Sequence, residues 1–239
     1  MVVKLKANKN LAPLLTEKTK DALVDITELG LDESLSFLSD NEALLKEIPI
    51  IKWIIASKDL KQSIGNMLFI RKYAAFIGQV YEDEVDGIAS IDVLKFSHEI
   101  TDNIIENTIV YIERYHDELK AKLLGKLFIE TFVHNHFTTH EYNSLMFSIE
   151  NIHPVEGFPR LKDFYNYWSE MESTTNEAEK QNIWQRGADI DYQPLIMSGL
   201  LILPSGASTF GNFGGAYLND KGVRFYEYVV KDIITSESR

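Results

Sequence analysis

The stretch that decides the fold runs from Gly199 to Val230 and reads GLLILPSGASTFGNFGGAYLNDKGVRFYEYVV. Leu200–Leu203 is a short apolar run with strand character. A tip rich in glycine follows, with Gly206, Gly211, Gly214 and Gly215. Ala216–Leu218 is a second short strand. Asn219 is placed to cap a last helix by accepting from exposed backbone N–H groups. In that helix Val223, Tyr226, Val230 and Ile233 recur at three- and four-residue steps and line one face. Strand, tip, strand, helix is the order of a wing and its following helix. Just upstream, Asp191–Ser198 is predicted to be helical, with Gly199 as its end.

A wing often touches DNA, and charge tests that possibility. The chain has 239 residues and a formal net charge of -12. From Asp189 to Arg239 there are six acids and four bases, a balance of -2. Non-specific DNA affinity comes from cations that displace counterions from phosphate. The segment predicted to enter a groove, Asp189–Ser198, has no Lys or Arg, and the tip from Pro204 to Gly215 is uncharged. Nucleic acid is therefore disfavoured as a partner, and a DNA-binding regulator is the second reading. Phe210 and Phe213, aromatic on an otherwise polar tip, are the candidate anchors for a protein partner or a second copy of the chain.

Composition limits the other classes. Hydrophobic residues make up 45% and charged residues 25%, an ordinary globular balance. With no cysteine, disulfides, thiolate metal sites and a cysteine nucleophile are excluded, and a reducing cytoplasm is the expected compartment. The first residues carry Lys4, Lys6 and Lys9 but only a weakly apolar stretch from Leu11 to Leu15, too short for a secretory signal. They read as a loose basic arm. The densest apolar region, Ile48–Val80, is interrupted by Lys52, Lys58, Asp59, Lys61, Arg71 and Lys72, so no membrane span is expected. A lysine-edged apolar helix can lie on a membrane surface, which makes a membrane-acting effector the third reading.

The rest of the chain has helical periodicity. Helices are predicted from Thr16 to Gly30 and from Glu33 to Lys46. Pro49 suits a first helical turn, and a long helix follows with Ile64, Leu68, Tyr73, Phe76, Ile77 and Val80 inward. Glu82–Ser90 is an acidic turn in which Ser90 can cap the next helix. That next helix extends to about Ile112, with a possible break near Asp102 and Asn103, and another runs from about Asp117 to Asn135. Thr138-Thr139-His140-Glu141 fits a capping box and opens a helix that ends near Ile152. A short helix around Leu161–Trp168 is followed by SEMESTTNEAEK, read as a loop or exposed insertion.

Three clusters bear on chemistry. FIETFVHNHFTTHEY brings Glu130, His134, His136, His140 and Glu141 together in sequence. Glu130 and His134 are four apart and share a helix face, a spacing that a metal can use, so His134, His136 and His140 are the metal candidates. Loop and surface histidines explain the cluster more simply, and there is no HExxH. The tip glycines lack the Gly-Lys-Ser/Thr end of a phosphate loop, and Ser205 and Ser208 lack a G-x-S-x-G setting. No catalytic residue, cofactor or enzyme activity is expected.

Three blocks carry a resemblance: EIPIIKWIIASKDLKQSIGNMLFIRKYAAFI, ELKAKLLGKLFIETFVHNHFTTHEYNSL, and SGLLILPSG with AYLNDKGVRFYEYV. They resemble bacterial and phage-associated helical proteins near the Abi-alpha abortive-infection group. The resemblance implies a helical body, a winged C-terminal module and a part in phage conflict. The sequence expectation is therefore a mainly α protein with a multi-helix N-terminal body over 1–116 and a winged-helix-like module over 117–239 containing a short two-stranded β-hairpin. The expected role is non-enzymatic and cytoplasmic, through protein–protein contact.

Overall fold

The computed structural model describes residues 64–82, 84–85, 88–89, 102–203 and 215–237, with Asp25, Ile26, Glu33 and Asp40, all four helical. Most of the helices predicted over 16–30 and 33–46, the N-terminal arm, Pro49, the Ser90 cap and the tip with Phe210 and Phe213 lie outside the described residues. The fold is mainly α, as the periodicity predicts. Two compact units are formed, Met1–Tyr142 and Asn143–Arg239. Asp117, the boundary expected from the sequence, is the N-cap of a helix in the first unit.

In the first unit, α1 (Ile64–Glu82) leads to β1 (Glu84–Val85) and β2 (Ile88–Ala89), then α2 (Asp102–Arg114) and α3 (Glu118–Phe132). The acidic turn of the sequence reading contains a short antiparallel pair, with Glu84 opposite Ala89 and Val85 opposite Ile88. The predicted inward residues of α1 are buried where described: Tyr73, Phe76, Ile77 and Val80, joined by Met67 and Ile70. Leu68 departs from the expected face and is exposed. Helices α1 and α3 approach closely at Gly125. A Cβ built there would stand 2.6 Å from the Phe76 carbonyl oxygen and 2.9 Å from Gln79 Cβ. Next to this crossing the rings of Phe76, Phe128, Phe132 and Tyr142 contact one another, with centroids 4.8–5.9 Å apart. Tilted and edge-on ring pairs of this kind add to what area burial alone supplies.

Polar groups inside this core are satisfied in a definite way. Lys72 is buried on α1, and its ammonium donates to the backbone carbonyls of Glu113 (2.6 Å) and Tyr115 (2.8 Å). It thus closes the carbonyl end of α2, where the helix dipole is negative. Burial lowers the Lys72 pKa, opposed by the nearby charges of Glu113 and Asp117. Arg71 pairs with Glu118 at 2.6 Å, and Asp117 accepts from the Lys120 N–H at 2.9 Å, starting α3. The Tyr142 hydroxyl shares a 2.8 Å hydrogen bond with Thr108, and burial raises its pKa.

Helix α4 (Thr139–Asn151) starts with the predicted capping box. The Thr138 N–H donates to Glu141 at 2.9 Å, and the Glu141 N–H donates back to Thr138 Oγ1 at 3.2 Å. In the second unit follow α5 (Gly157–Ser173), α6 (Glu177–Ala188), a 3₁₀ turn (Gln193–Leu195), β3 (Leu201–Ile202) and β4 (Tyr217–Leu218). The last helix consists of α7 (Asp220–Phe225), a π-helical turn (Tyr226–Val230) and α8 (Lys231–Glu237).

Two segments here differ from the sequence expectation. SEMESTTNEAEK is mostly helix, divided between α5 and α6 by residues 174–176. Asn176 Oδ1 accepts from the N–H groups of Ala178 (3.0 Å) and Glu179 (3.4 Å), and Glu177 and Glu179 occupy the first turn of α6, where acids suit the dipole. Polarity there marks solvent exposure rather than a loop. Conversely, Asp191–Ser198 is not an α-helix. Asp191 Oδ1 accepts from the Gln193 N–H, and the Ser198 hydroxyl donates to the Leu195 carbonyl at 2.7 Å. Such local side-chain bonds compete with helix, and Pro194 supplies no N–H.

Two substitutions to alanine are expected to have opposite signs. Gly125→Ala should destabilise the protein by about 1–3 kcal/mol, because backbone must move to admit the methyl group. Gly78→Ala meets nothing within 4 Å. It should stabilise by roughly 0.5–1 kcal/mol, the helix-interior advantage of alanine over glycine. Urea denaturation midpoints of the two variants test this, and equal shifts would refute the α1–α3 contact. Tyr226→Asp and Val230→Asp should each unfold the second unit, since each buries an unpaired charge at a cost of several kcal/mol. Hydrogen exchange over residues 143–237 reads this out, and retained protection would contradict the face assignment.

Candidate functional site

The hairpin β3–β4 is positioned by a small number of bonds at its base. Gly199 has φ +68, a left-handed conformation that favours glycine, and it turns the chain into β3. The buried Ser198 hydroxyl accepts from the Leu200 N–H at 3.2 Å. Leu201 pairs with Leu218 and Ile202 with Tyr217 in antiparallel register. Asn219 then binds at four points, one of them its carbonyl, which accepts from the Val223 N–H (3.0 Å). Its N–H donates to the Leu200 carbonyl (3.0 Å), its amide nitrogen donates to the Gly199 carbonyl (3.0 Å), and its amide oxygen accepts from the Gly222 N–H (2.8 Å). The other side of the base is held by close backbone approach. A Cβ on Gly215 would lie 2.6 Å from the Gly187 carbonyl oxygen, and one on Gly187 would overlap the Tyr167 ring. The hairpin thus rests on the last turn of α6, and α6 rests on α5.

Alternation along these short strands sends Leu218 inward, where it is buried, with the partly covered Leu201 as its cross-strand partner. Ile202 and Tyr217, directly opposite each other, point outward and are 43% and 48% exposed. Leu203 continues the exposed apolar run, and Ile196 and Met197 are exposed in the turn that leads to Gly199, Met197 at 64%. The acids Asp189, Asp191 and Asp220 flank these residues along the chain and are exposed. Several cations of the second unit are held by nearby groups. Lys221 donates to Ser144 Oγ at 2.7 Å. Arg186 pairs with Glu170 (2.7 Å), Arg160 with Asp163 (3.0 Å) and Lys180 with Glu177 (3.5 Å).

An aromatic clasp fixes the last helix behind the hairpin. The Tyr165 and Tyr226 rings stack with centroids 4.4 Å apart, and Trp168 packs against Tyr165 at 5.5 Å. The Tyr165 hydroxyl donates to the Glu227 carboxylate at 2.7 Å. These contacts meet the helix in its π turn, where the Lys231 N–H reaches back to the Tyr226 carbonyl. Burial, then the hydrogen bond and charge of Glu227, push the Tyr165 pKa up to about 12. Burial and the charge of Asp163 raise that of Tyr226, and burial raises that of Tyr167. Neither the π turn nor this clasp was foreseen from sequence; the run Tyr226-Glu227-Tyr228 was its only trace.

The histidine candidates are placed differently from the shared helix face that their spacing predicts. Helix α3 ends at Phe132, and Asn135 adopts φ 59, so the chain turns back. His136 rather than His134 then reaches Glu130, with Nδ1 2.6 Å from the carboxylate. Lys126 holds the other oxygen of the buried Glu130 at 2.9 Å. His134 stacks on His136 with centroids 5.8 Å apart, and His140 is exposed in the first turn of α4. Among the described residues no group of three or more His, Asp or Glu side chains is placed to hold a metal ion. The tip anchors Phe210 and Phe213 lie outside the described residues, so the site that can be described is the outward hairpin face.

The clasp has a consequence at alkaline pH. Unfolded tyrosine titrates near about 10. A group whose pKa is raised by folding contributes stability that is whole below its unfolded pKa and is lost as pH rises through its folded value. For Tyr165 that window extends from the unfolded value to about 12. Urea midpoints should therefore fall more steeply across this window in the wild type than in Tyr165→Phe. Parallel profiles would remove the Glu227 bond from the account.

No protein-family model, curated protein or solved structure matches this chain.

Proposed function

We propose that this chain is a non-enzymatic cytoplasmic protein that works by contact with another protein, made through the outward face of its C-terminal hairpin. The cross-strand pair Ile202 and Tyr217 carries this reading, because both are held outward and half-exposed by a base that is otherwise well bonded. Aromatic and aliphatic side chains on a preordered frame are what a docking surface uses as anchors. The order of strand, tip, strand and helix supports a winged-helix-like module adapted to protein docking. A place in bacterial phage defence rests on the resemblance to the Abi-alpha group. The DNA-binding reading is weakened by charge: the chain carries a net -12, and three cations of the second unit, Arg160, Lys180 and Arg186, each pair with an acid. The membrane reading is weakened in α1, whose apolar side chains are largely buried; among the described residues no helix is long and apolar enough to cross a membrane.

Affinity capture from the native host with the wild type and with Ile202→Ser/Tyr217→Ser tests the proposal. The wild type should retain a protein partner in near-equal amount, and the double variant should lose it with its melting temperature kept within a few degrees. Identical captures by both proteins would overturn the reading. So would a shift of duplex DNA at low salt that disappears at moderate salt, since that behaviour belongs to phosphate binding.

A further inference from the structure

Residues 152–156 carry the chain from α4 into α5. Pro154 has no N–H, so Val155 and Glu156 bear the first backbone donors after His153. The His153 ring meets both: its Nδ1 accepts from the Val155 N–H at 3.3 Å and from the Glu156 N–H at 3.2 Å. The backbone of the same residue is bonded on either side. Its carbonyl accepts from the Gly157 N–H, where α5 begins, and its N–H donates to the Pro194 carbonyl in the 3₁₀ turn, both at 3.0 Å. Packing here is tight, since a Cβ on Gly157 would overlap Ile152 Cγ2 and stand 3.4 Å from the Pro194 carbonyl oxygen. The Glu156 side chain, at the N-cap position, makes no capping bond, so the ring three residues earlier is the side-chain acceptor at this helix start.

Only an unprotonated ring nitrogen can accept a hydrogen bond, so these two bonds belong to the neutral ring with its proton on Nε2. We propose that His153 is an acid-released latch on the start of α5. Protonation puts a hydrogen on Nδ1, which removes both bonds and sets a positive charge against two N–H groups that point at it. Histidine ordinarily changes charge between about pH 5 and 8, so the latch is closed at the upper end of that range and open at the lower. The ring is exposed, and it can turn into solvent with the unit still folded. Through Pro194 the latch acts at the joint between α5 and the turn that leads to Gly199 and β3. The charged groups nearest along the elements that meet there are Glu150, Glu156, Arg160, Lys162, Asp163 and Asp191. Arg160 pairs with Asp163, and Asp191 accepts from the Gln193 N–H. All six stay in place in the variants below, so whatever they add to pH dependence is common to every protein compared. The latch is independent of what the hairpin binds.

Solvent exchange of the Val155 and Glu156 amides, followed by NMR on the full chain and corrected for the intrinsic pH dependence of exchange, reads the latch. Wild-type protection should fall roughly fivefold from about pH 8 to about pH 5, the size of one lost cap. His153→Asn offers an amide oxygen that does not titrate, and His153→Ala offers no acceptor; neither should show the fall. At the upper pH the nitrogen chemical shifts of His153 should place the ring proton on Nε2. Protection that stays constant in the wild type, or that falls equally in either variant, overturns the proposal. So does a ring proton on Nδ1 at the upper pH, a result that does not depend on how the variants fold.

Discussion

The second unit depends on the approach of the Leu200 carbonyl to the start of the last helix. The carbonyl accepts the Asn219 N–H, and it comes so near Gly222 that any side chain there would collide with it. Asn219 meanwhile uses its amide oxygen as the helix cap and its amide nitrogen to hold Gly199. Loss of a cap residue ordinarily costs about 1 kcal/mol. Here the same side chain also fixes the left-handed turn into β3, so helix, hairpin and turn depend on one residue. That coupling explains how strands of only two residues each are maintained, since an isolated short hairpin is marginal in water.

The first unit follows a different logic. Its helices meet through apolar area and a chain of aromatic rings, with Gly125 allowing α1 and α3 to come into backbone contact. Among the described residues its buried polar side chains include Lys72, Thr108 and Glu130, each with an identified partner. Lys72 is the clearest of them, since its largely buried ammonium is directed at the carbonyls of Glu113 and Tyr115 at the end of α2. Truncating that side chain would remove both bonds, and a hydrogen bond to a charged group is worth about 1.5–3 kcal/mol.

Much of this was legible in the sequence, and the rest was hidden for physical reasons. The capping box at Thr138, the Asn219 cap and the buried face of Val223, Tyr226, Val230 and Ile233 are local rules, and the structure follows them. SEMESTTNEAEK was misread because a helix exposed on most sides has no apolar period, and its cap at Asn176 lies inside the polar run. Asp191–Ser198 was misread because its apolar residues imitate a helix while Pro194 and two side-chain bonds favour a tighter turn. The pairing of Glu130 with His136 needed the left-handed Asn135, which spacing does not reveal. Of the candidate site, the sequence offered the aromatic residues of the tip, which lie outside the described residues; the outward pair Ile202 and Tyr217 emerged only once the strand register was known.

The hairpin is closed at its base by Asn219 on one side and by the close approach of Gly215 to the end of α6 on the other. Both closures lie within a few residues of strands that are only two residues long. Damage at either point therefore has no neighbouring ladder to absorb it, and a local change there becomes the loss of the whole strand pair.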